Sequence, residues 1–390
     1  MDALTFEVSI ERILPGGVGL AHAEGRTLLV SLAAPGDVAR VRIDRVRGKL
    51  AFASVVEIVR PSPVRVEPPC PYFGRCGGCD FQQLTYEAQL EAKIEIIRDC
   101  LHRIARVEDL PEIPIAPSPK QWHYRSRANW QFDPNRQRLG YFERGSHRVC
   151  DVAECGVLAP ELQQVFVLLR RQADSLPESL RDIEAAAGEE GVSLTPPLLG
   201  SSTRNVRRRI GRETYYFNSS SFFQTNHELL EQLIADAISE TGGKSAVDLY
   251  CGVGLFTIPL ARRFCQVIGV EANPTAARFA RRNLSLAGLS NGKVVSQHVG
   301  DWLQSNATSS GQVEFLLLDP PRTGVEHGAL KGILDLQATQ ISYVSCDPAT
   351  LARDLKELVE GGYALDSISA FDMFPQTHHI EVVAHLVLRV

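Results

Sequence analysis

Apolar and polar positions alternate in steps of two from Phe6 to about residue 60. Residues 6–10, 27–30, 38–43 and 53–59 each read as a strand, with Gly16-Gly17 as a turn. Several short strands in so short a segment predict a small barrel of OB type. Pro61, Pro63, Pro68 and Pro69 then mark a linker. At Tyr86 the period changes. Leu90, Ile94, Ile97, Leu101 and Ile104 recur every three or four residues, which predicts a helix over 86–105 with one apolar stripe. A mixed segment of strands and turns follows to about 215, with a polar helical stretch near 161–190. From 227 helix and strand alternate. Leu229, Leu230, Leu233, Ile234, Ala237 and Ile238 line a helix, and residues 246–249, 267–270, 315–318 and 343–344 are strands with helices between them. That order predicts a parallel, doubly wound sheet. The expected fold is α/β: an N-terminal barrel over 1–62, a central α+β domain over 63–215 and a Rossmann-like domain over 216–390.

With 390 residues, each of these parts is long enough to bury its own core. No apolar run approaches the roughly 18 residues that cross a bilayer. The acidic start, Met1-Asp2-Ala3-Leu4-Thr5-Phe6-Glu7, lacks the basic and apolar regions of a signal peptide. A cytoplasmic monomer with no membrane partner is expected. Nine cysteines, an odd number in a large chain, suit metal or catalytic roles better than a disulfide framework.

A net charge of −5 argues against a general nucleic-acid binder, but the positive charge is clustered. Arg40, Arg42, Arg45, Arg47 and Lys49 form one group, and Arg204, Arg207, Arg208, Arg209 and Arg212 another. Between them, Arg125, Arg127, Arg136, Arg138, Arg144 and Arg148 are interleaved with Trp122, Tyr124, Trp130, Phe132, Tyr141 and Phe142. Guanidinium and aromatic surface together suit phosphates and unstacked bases.

Chemistry concentrates at the predicted strand ends. The run from Asp248 to Phe256 joins the first strand of the doubly wound region to its helix, and Gly252 and Gly254 let its backbone turn tightly and approach a ligand. Glu271 ends the next strand, at the spacing where an acid holds ribose hydroxyls. The loop is not a full dinucleotide fingerprint. With Asp319 on a further strand end, a ligand with a ribose and a positive centre fits better, such as S-adenosylmethionine. Asp319-Pro320-Pro321-Arg322, Ser345-Cys346-Asp347-Pro348 and His378-His379-Ile380-Glu381 occupy successive strand ends, the edge where open α/β sheets bind ligands. Cys346 precedes a predicted helix, a location that favours thiolate. Glu381 is flanked by apolar residues and would be costly to bury without a role. A thiolate with a nearby base suits methylation at carbon 5 of a pyrimidine through an adduct at carbon 6. Methylation of an exocyclic amine is the alternative, although Arg322 stands where an aromatic would then be expected. A silent RNA-binding or assembly factor is the other.

At these residues the chain resembles the RNA uracil-5-methyltransferase family, whose members share Asp-Pro-Pro-Arg, Ser-Cys-Asn-Pro and a His-x-Glu-containing final motif. The resemblance spans nearly the whole chain. It implies Cys346 as nucleophile and Glu381 as proton acceptor, acting on rRNA or tRNA. It implies S-adenosylmethionine contacts from Gln224, Tyr250, Gly252, Glu271 and Asp319. The first segment is similar to the TRAM domain, an RNA-binding barrel. In relatives the helix over 86–105 belongs with the catalytic domain. One departure is Asp347, where the family usually has Asn; its charge is expected to oppose the thiolate.

Cys70, Cys76 and Cys79, with Gly74, Gly77 and Gly78 among them, place three thiols on one tight loop. Cys150 or Cys155 could supply a fourth, and four thiolates suit a [4Fe-4S] cluster or zinc. Several members of the family carry an iron-sulfur cluster whose fourth cysteine precedes a Val-Leu-Ala-Pro run. That resemblance implies Cys155 and a [4Fe-4S] cluster. Four thiolates leave no iron open, so a structural or RNA-positioning role is expected for it.

Overall fold

An eight-stranded sheet organises the C-terminal half of the chain, in the order Gly292–Ser296, Phe264–Glu271, Gly243–Leu249, Phe315–Leu318, Gln340–Ser345, Glu381–Leu388, Tyr363–Phe371 and Ile115–Ala116. The computed structural model describes residues 5–198, 200, 205–306, 313–326 and 328–389; Arg204 lies outside them. The first five strands run parallel. Their apolar runs are covered on both faces, and Phe315–Leu318 is buried at every position. Glu381–Leu388 runs antiparallel to Gln340–Ser345, with Ser345 opposite Val382. The end of one strand therefore meets the beginning of the other, and Cys346 and Glu381 share an edge because of that reversal.

The helix Tyr86–Cys100 starts at Thr85, whose side chain accepts from Ala88 N. It ends in a π-helical turn over Leu101–Ala105. Ala88, Ala92, Ile96 and Ile97 share one core with Leu316, Leu351, Leu355 and Ile380 of the large sheet and its helices. Ile115–Ala116 adds an edge strand to the same sheet, paired with Ala370 and Phe371.

The N-terminal part is a six-stranded sheet in the order Thr5–Ser9, Val38–Arg47, Leu50–Arg60, Arg26–Ser31, Val18–Ala23 and Arg12–Leu14. Two of these strands were not predicted: Arg12–Leu14 is three residues long, and Gly19 interrupts the apolar alternation of Val18–Ala23. Val8, Ile10, Ala21, Leu28, Val30 and Val41 fill its interior. Arg40, Arg42, Arg45, Arg47 and Lys49 all remain exposed on it.

The central part is a five-stranded antiparallel sheet, ordered Val149–Asp151, Arg138–Phe142, Arg127–Asp133, Asp182–Gly188 and Gly191–Thr195, packed with the helix Pro160–Arg171. The predicted helical stretch near 161–190 is thus a helix followed by a strand. Ala185, Ala186 and Ala187 carry no two-residue alternation, and pairing on both sides decides their conformation. The aromatics of this region also differ from expectation. Trp130, Phe132 and Tyr124 are core residues, not stacking surfaces. Arg127 turns inward and donates to the carbonyls of Asn218, Ser219 and Ser221. Arg136, Arg138 and Arg148 stay exposed.

Candidate active site

Cys346 follows strand Gln340–Ser345 directly, and helix Pro348–Glu360 begins two residues later. Asp347 caps that helix: its Oδ1 accepts from Ala349 N at 3.0 Å and Thr350 N at 2.9 Å. Asn serves equally at such a position. The leading charges on Cys346 are those of Glu381, Arg322 and Asp319. The helix-start position does not by itself decide the ionisation of the thiol, because burial acts more strongly. Burial pushes the Cys346 thiol up to about 12; Glu381 and Asp319 add to the rise, while Arg322 opposes it by charge and by a hydrogen bond. Glu381 is 2% exposed. Burial, then Asp319, holds its carboxyl well above the ordinary range against the pull of Arg322. Once ionised, such a carboxylate is a stronger base than an exposed one, which suits a proton acceptor.

The cofactor loop leaves strand Gly243–Leu249 through three left-handed residues, Tyr250 at φ 65°, Gly252 at 55° and Gly254 at 90°. A tyrosine in that region is uncommon and marks a loop shaped for contact. The Tyr250 hydroxyl is buried beside the backbone of Glu326, without a well-formed hydrogen bond among the described residues. Glu271 organises the loop, its Oε2 accepting from Gly252 N at 2.8 Å and its Oε1 from Asn273 N at 2.6 Å. A carboxylate with two such bonds retains lone pairs for ligand hydroxyls. Asp319 is partly exposed, and burial, then Glu271, raises its carboxyl to about 7. Asp248 lies beneath, fully buried with Oδ2 on the Thr257 hydroxyl at 2.5 Å, and burial raises it to about 8. Gln224 is buried on the segment after strand Glu213–Phe217, beside Phe223, which stacks on Phe217 at 4.3 Å. Asp319 and Asp248, raised chiefly by burial, would be favoured in their ionised forms by a cationic ligand such as S-adenosylmethionine.

Cys70, Cys76, Cys79 and Cys155 line one cavity with Tyr72, Trp122, Arg125 and Tyr141. Cys150 is buried and accepts from Arg75 Nε at 3.3 Å. As placed, the four thiols do not close into a ligand set: among the described residues, no group of three or more His, Cys, Asp or Glu is arranged to hold a metal ion. The donor chemistry still suits a thiolate-bound group, because Arg125 Nε is buried on this cavity without a partner among the described residues. Sequence reasoning missed a second feature. Lys93 and Asp372 are fully buried and paired at 2.5 Å, and Asp80 holds His378. A signal existed: Gln89 and Lys93 fall on the buried face of helix Tyr86–Cys100 with Ile96, Ile97 and Cys100.

Residues 203–389 match the family model of tRNA (uracil-5-)-methyltransferases, and residues 4–56 that of the TRAM domain. An uncharacterized RNA methyltransferase of Thermosynechococcus vestitus is 32% identical, with 98% of each chain covered. A 23S rRNA (uracil(1939)-C(5))-methyltransferase of Alkalilimnicola ehrlichii is 32% identical, covering 97% of this chain and 96% of that one. The fold is similar to the crystal structure of the Pyrococcus abyssi tRNA (uracil-54, C5)-methyltransferase in complex with S-adenosyl-L-homocysteine. The TM-score is 0.75 at 26% identity, covering 98% and 100% of the two chains.

Proposed function

Since this chain belongs to the RNA uracil-5-methyltransferase family, whose enzymes depend on S-adenosylmethionine, we propose that it methylates carbon 5 of a uridine in rRNA or tRNA through a covalent adduct on Cys346. The observation that carries this reading is the meeting of Cys346 and Glu381 at one sheet edge, beside Asp319 and Arg322.

Gln224, Tyr250, Gly252, Glu271 and Asp319 would hold the cofactor, which would supply an electrophilic methyl group and leave as the neutral thioether S-adenosylhomocysteine. The Cys346 thiolate adds to carbon 6 of an unstacked uridine, forming an S–C bond and moving the electron pair to carbon 5. Carbon 5 takes the methyl group. Glu381 then accepts the proton from carbon 5, the S–C6 bond breaks, and the thiolate is restored. Arg322 offsets the negative charge that develops on sulfur. An amine methyltransferase would have no use for a thiol and a buried carboxylate at this edge.

Cys70, Cys76, Cys79 and Cys155 are proposed to hold a [4Fe-4S] cluster, a structural group that takes no part in methyl transfer. Modification mapping of total RNA from cells lacking the protein is expected to reveal one uridine without its 5-methyl group, restored by the purified enzyme. An unchanged set of 5-methyluridines would refute the proposal.

A further inference from the structure

Glu381 follows a segment, residues 372–380, that is held largely from outside the large sheet. Lys93 Nζ lies 2.5 Å from Asp372 Oδ1 and donates to Phe374 O at 3.1 Å. The Tyr124 hydroxyl donates to Pro375 O at 2.9 Å. Gln89 and Gln376 exchange bonds, Gln89 Nε2 to Gln376 Oε1 at 3.1 Å and Gln376 N to Gln89 Oε1 at 2.9 Å. Asp80 N and Phe81 N both donate to Gln376 O, each at 3.1 Å. Nearest to Glu381, His378 is gripped twice: its N donates to Asp80 Oδ1 at 2.8 Å, and its Nδ1 lies 2.5 Å from Asp80 Oδ2. On its other side stands Gly17 of the N-terminal sheet, where an added Cβ would come within 2.9 Å of His378 Cβ.

Asp80 directly follows Cys79, so one carboxylate joins the end of the cysteine loop to the segment that delivers Glu381. We infer that Asp80 is a positioning residue for proton removal: through His378 it fixes the placement of Glu381, and the cysteine loop thereby sets the geometry of the base. This rests on the reading of Glu381 as the base. None of these bonds reaches Cys346 or strand Gln340–Ser345, so addition of the thiolate to carbon 6 is expected to survive loss of the clasp. A displacement of about 1 Å at a reacting group can cost on the order of a hundredfold in rate, which is the scale on which this clasp acts.

The test uses the whole, anaerobically purified protein, RNA carrying 5-tritiated uridine from cells lacking the enzyme, and methyl-labelled S-adenosylmethionine. Asp80→Ala is expected to slow tritium release roughly tenfold or more while a methyl-bearing protein–RNA adduct accumulates and RNA affinity changes by less than about twofold. Asp80→Asn keeps an acceptor for His378 N but replaces the second oxygen with an amide. It is expected to slow release by a smaller factor, and it carries the test if the alanine variant does not fold. Release at the wild-type rate, or parallel loss of release and adduct, overturns the inference. Glu381→Gln, run alongside, separates the two readings. If it traps no adduct, the assignment of the base fails. If it traps adduct and the Asp80 variants do not, only the positioning role fails.

Discussion

Burial and the carboxylates of Glu381 and Asp319 oppose ionisation of Cys346, and Arg322 favours it. The thiol of the cofactor-free protein is pushed up to about 12. Its thiolate fraction therefore rises about tenfold per pH unit at any pH well below that value, and alkylation should follow the thiolate. The rate of iodoacetamide modification of Cys346 is expected to climb without a plateau between about pH 7 and pH 10. Arg322→Gln removes the one favourable charge and should lower the rate at each pH by about tenfold, the equivalent of one pKa unit. A cationic cofactor analogue should act in the opposite sense, moving the profile to lower pH. Mass mapping of the labelled peptide gives the rates, and a plateau near neutral pH without cofactor would contradict this account. Asp347 was the sequence-level weak point of the motif. Its carboxylate proves to be the cap of helix Pro348–Glu360, a task for which Asp and Asn are equivalent.

Among the elements, helix Tyr86–Cys100 has consequences beyond its apolar stripe. Lys93 and Asp372 have no exposed side-chain surface, and burial drives the Lys93 ammonium below its ordinary pKa while Asp372 resists. Removing one partner of such a pair leaves an uncompensated buried charge, which costs about 3–5 kcal/mol. Lys93→Met is therefore expected to destabilise the protein by that amount in chemical denaturation. A loss under about 1 kcal/mol would mean that Asp372 is solvated and that the pair does not hold the segment. The strands of the large sheet and the middle of this helix's apolar stripe were legible because periodicity and burial coincide at Ile94, Ile97 and Leu101, whereas Ile104 is exposed on the π-helical turn and Leu90 is half-buried. The strand Asp182–Gly188 was not, since its alanines carry no period and its neighbours decide it. Cys346, Asp319 and Glu381 stood out because each sits at a strand end where polar groups have no packing reason. Asp80 and Lys93 lay hidden, because their partners Asp372 and His378 are nearly 300 positions away in the chain.

On the scale of the whole molecule, the three parts meet around one segment. The N-terminal sheet touches His378 through Gly17, the cysteine loop reaches it through Asp80, and the large sheet receives it at Glu381. On the proposed function, Arg45, Arg47 and Lys49 of the N-terminal sheet and Arg138 would offer phosphate contacts, Arg40, Arg42, Arg136 and Arg148 being already paired with carboxylates, while the carboxylates at the edge of the large sheet would favour a cation. RNA and cofactor would then meet surfaces of opposite sign. Among the described residues, no helix is long and apolar enough to cross a membrane. The proposed cluster on Cys70, Cys76, Cys79 and Cys155 predicts iron and acid-labile sulfide, close to four of each per chain; zinc in their place would refute that proposal. The central claim is covalent catalysis by Cys346, and its most direct measurement is peptide mass mapping after incubation with cofactor and RNA containing 5-fluorouridine, in which carbon 5 carries no removable proton. A methylated nucleotide bound to the Cys346 peptide is expected, and no adduct in Cys346→Ala. An adduct on another residue, or continued methylation by Cys346→Ala, would contradict that claim.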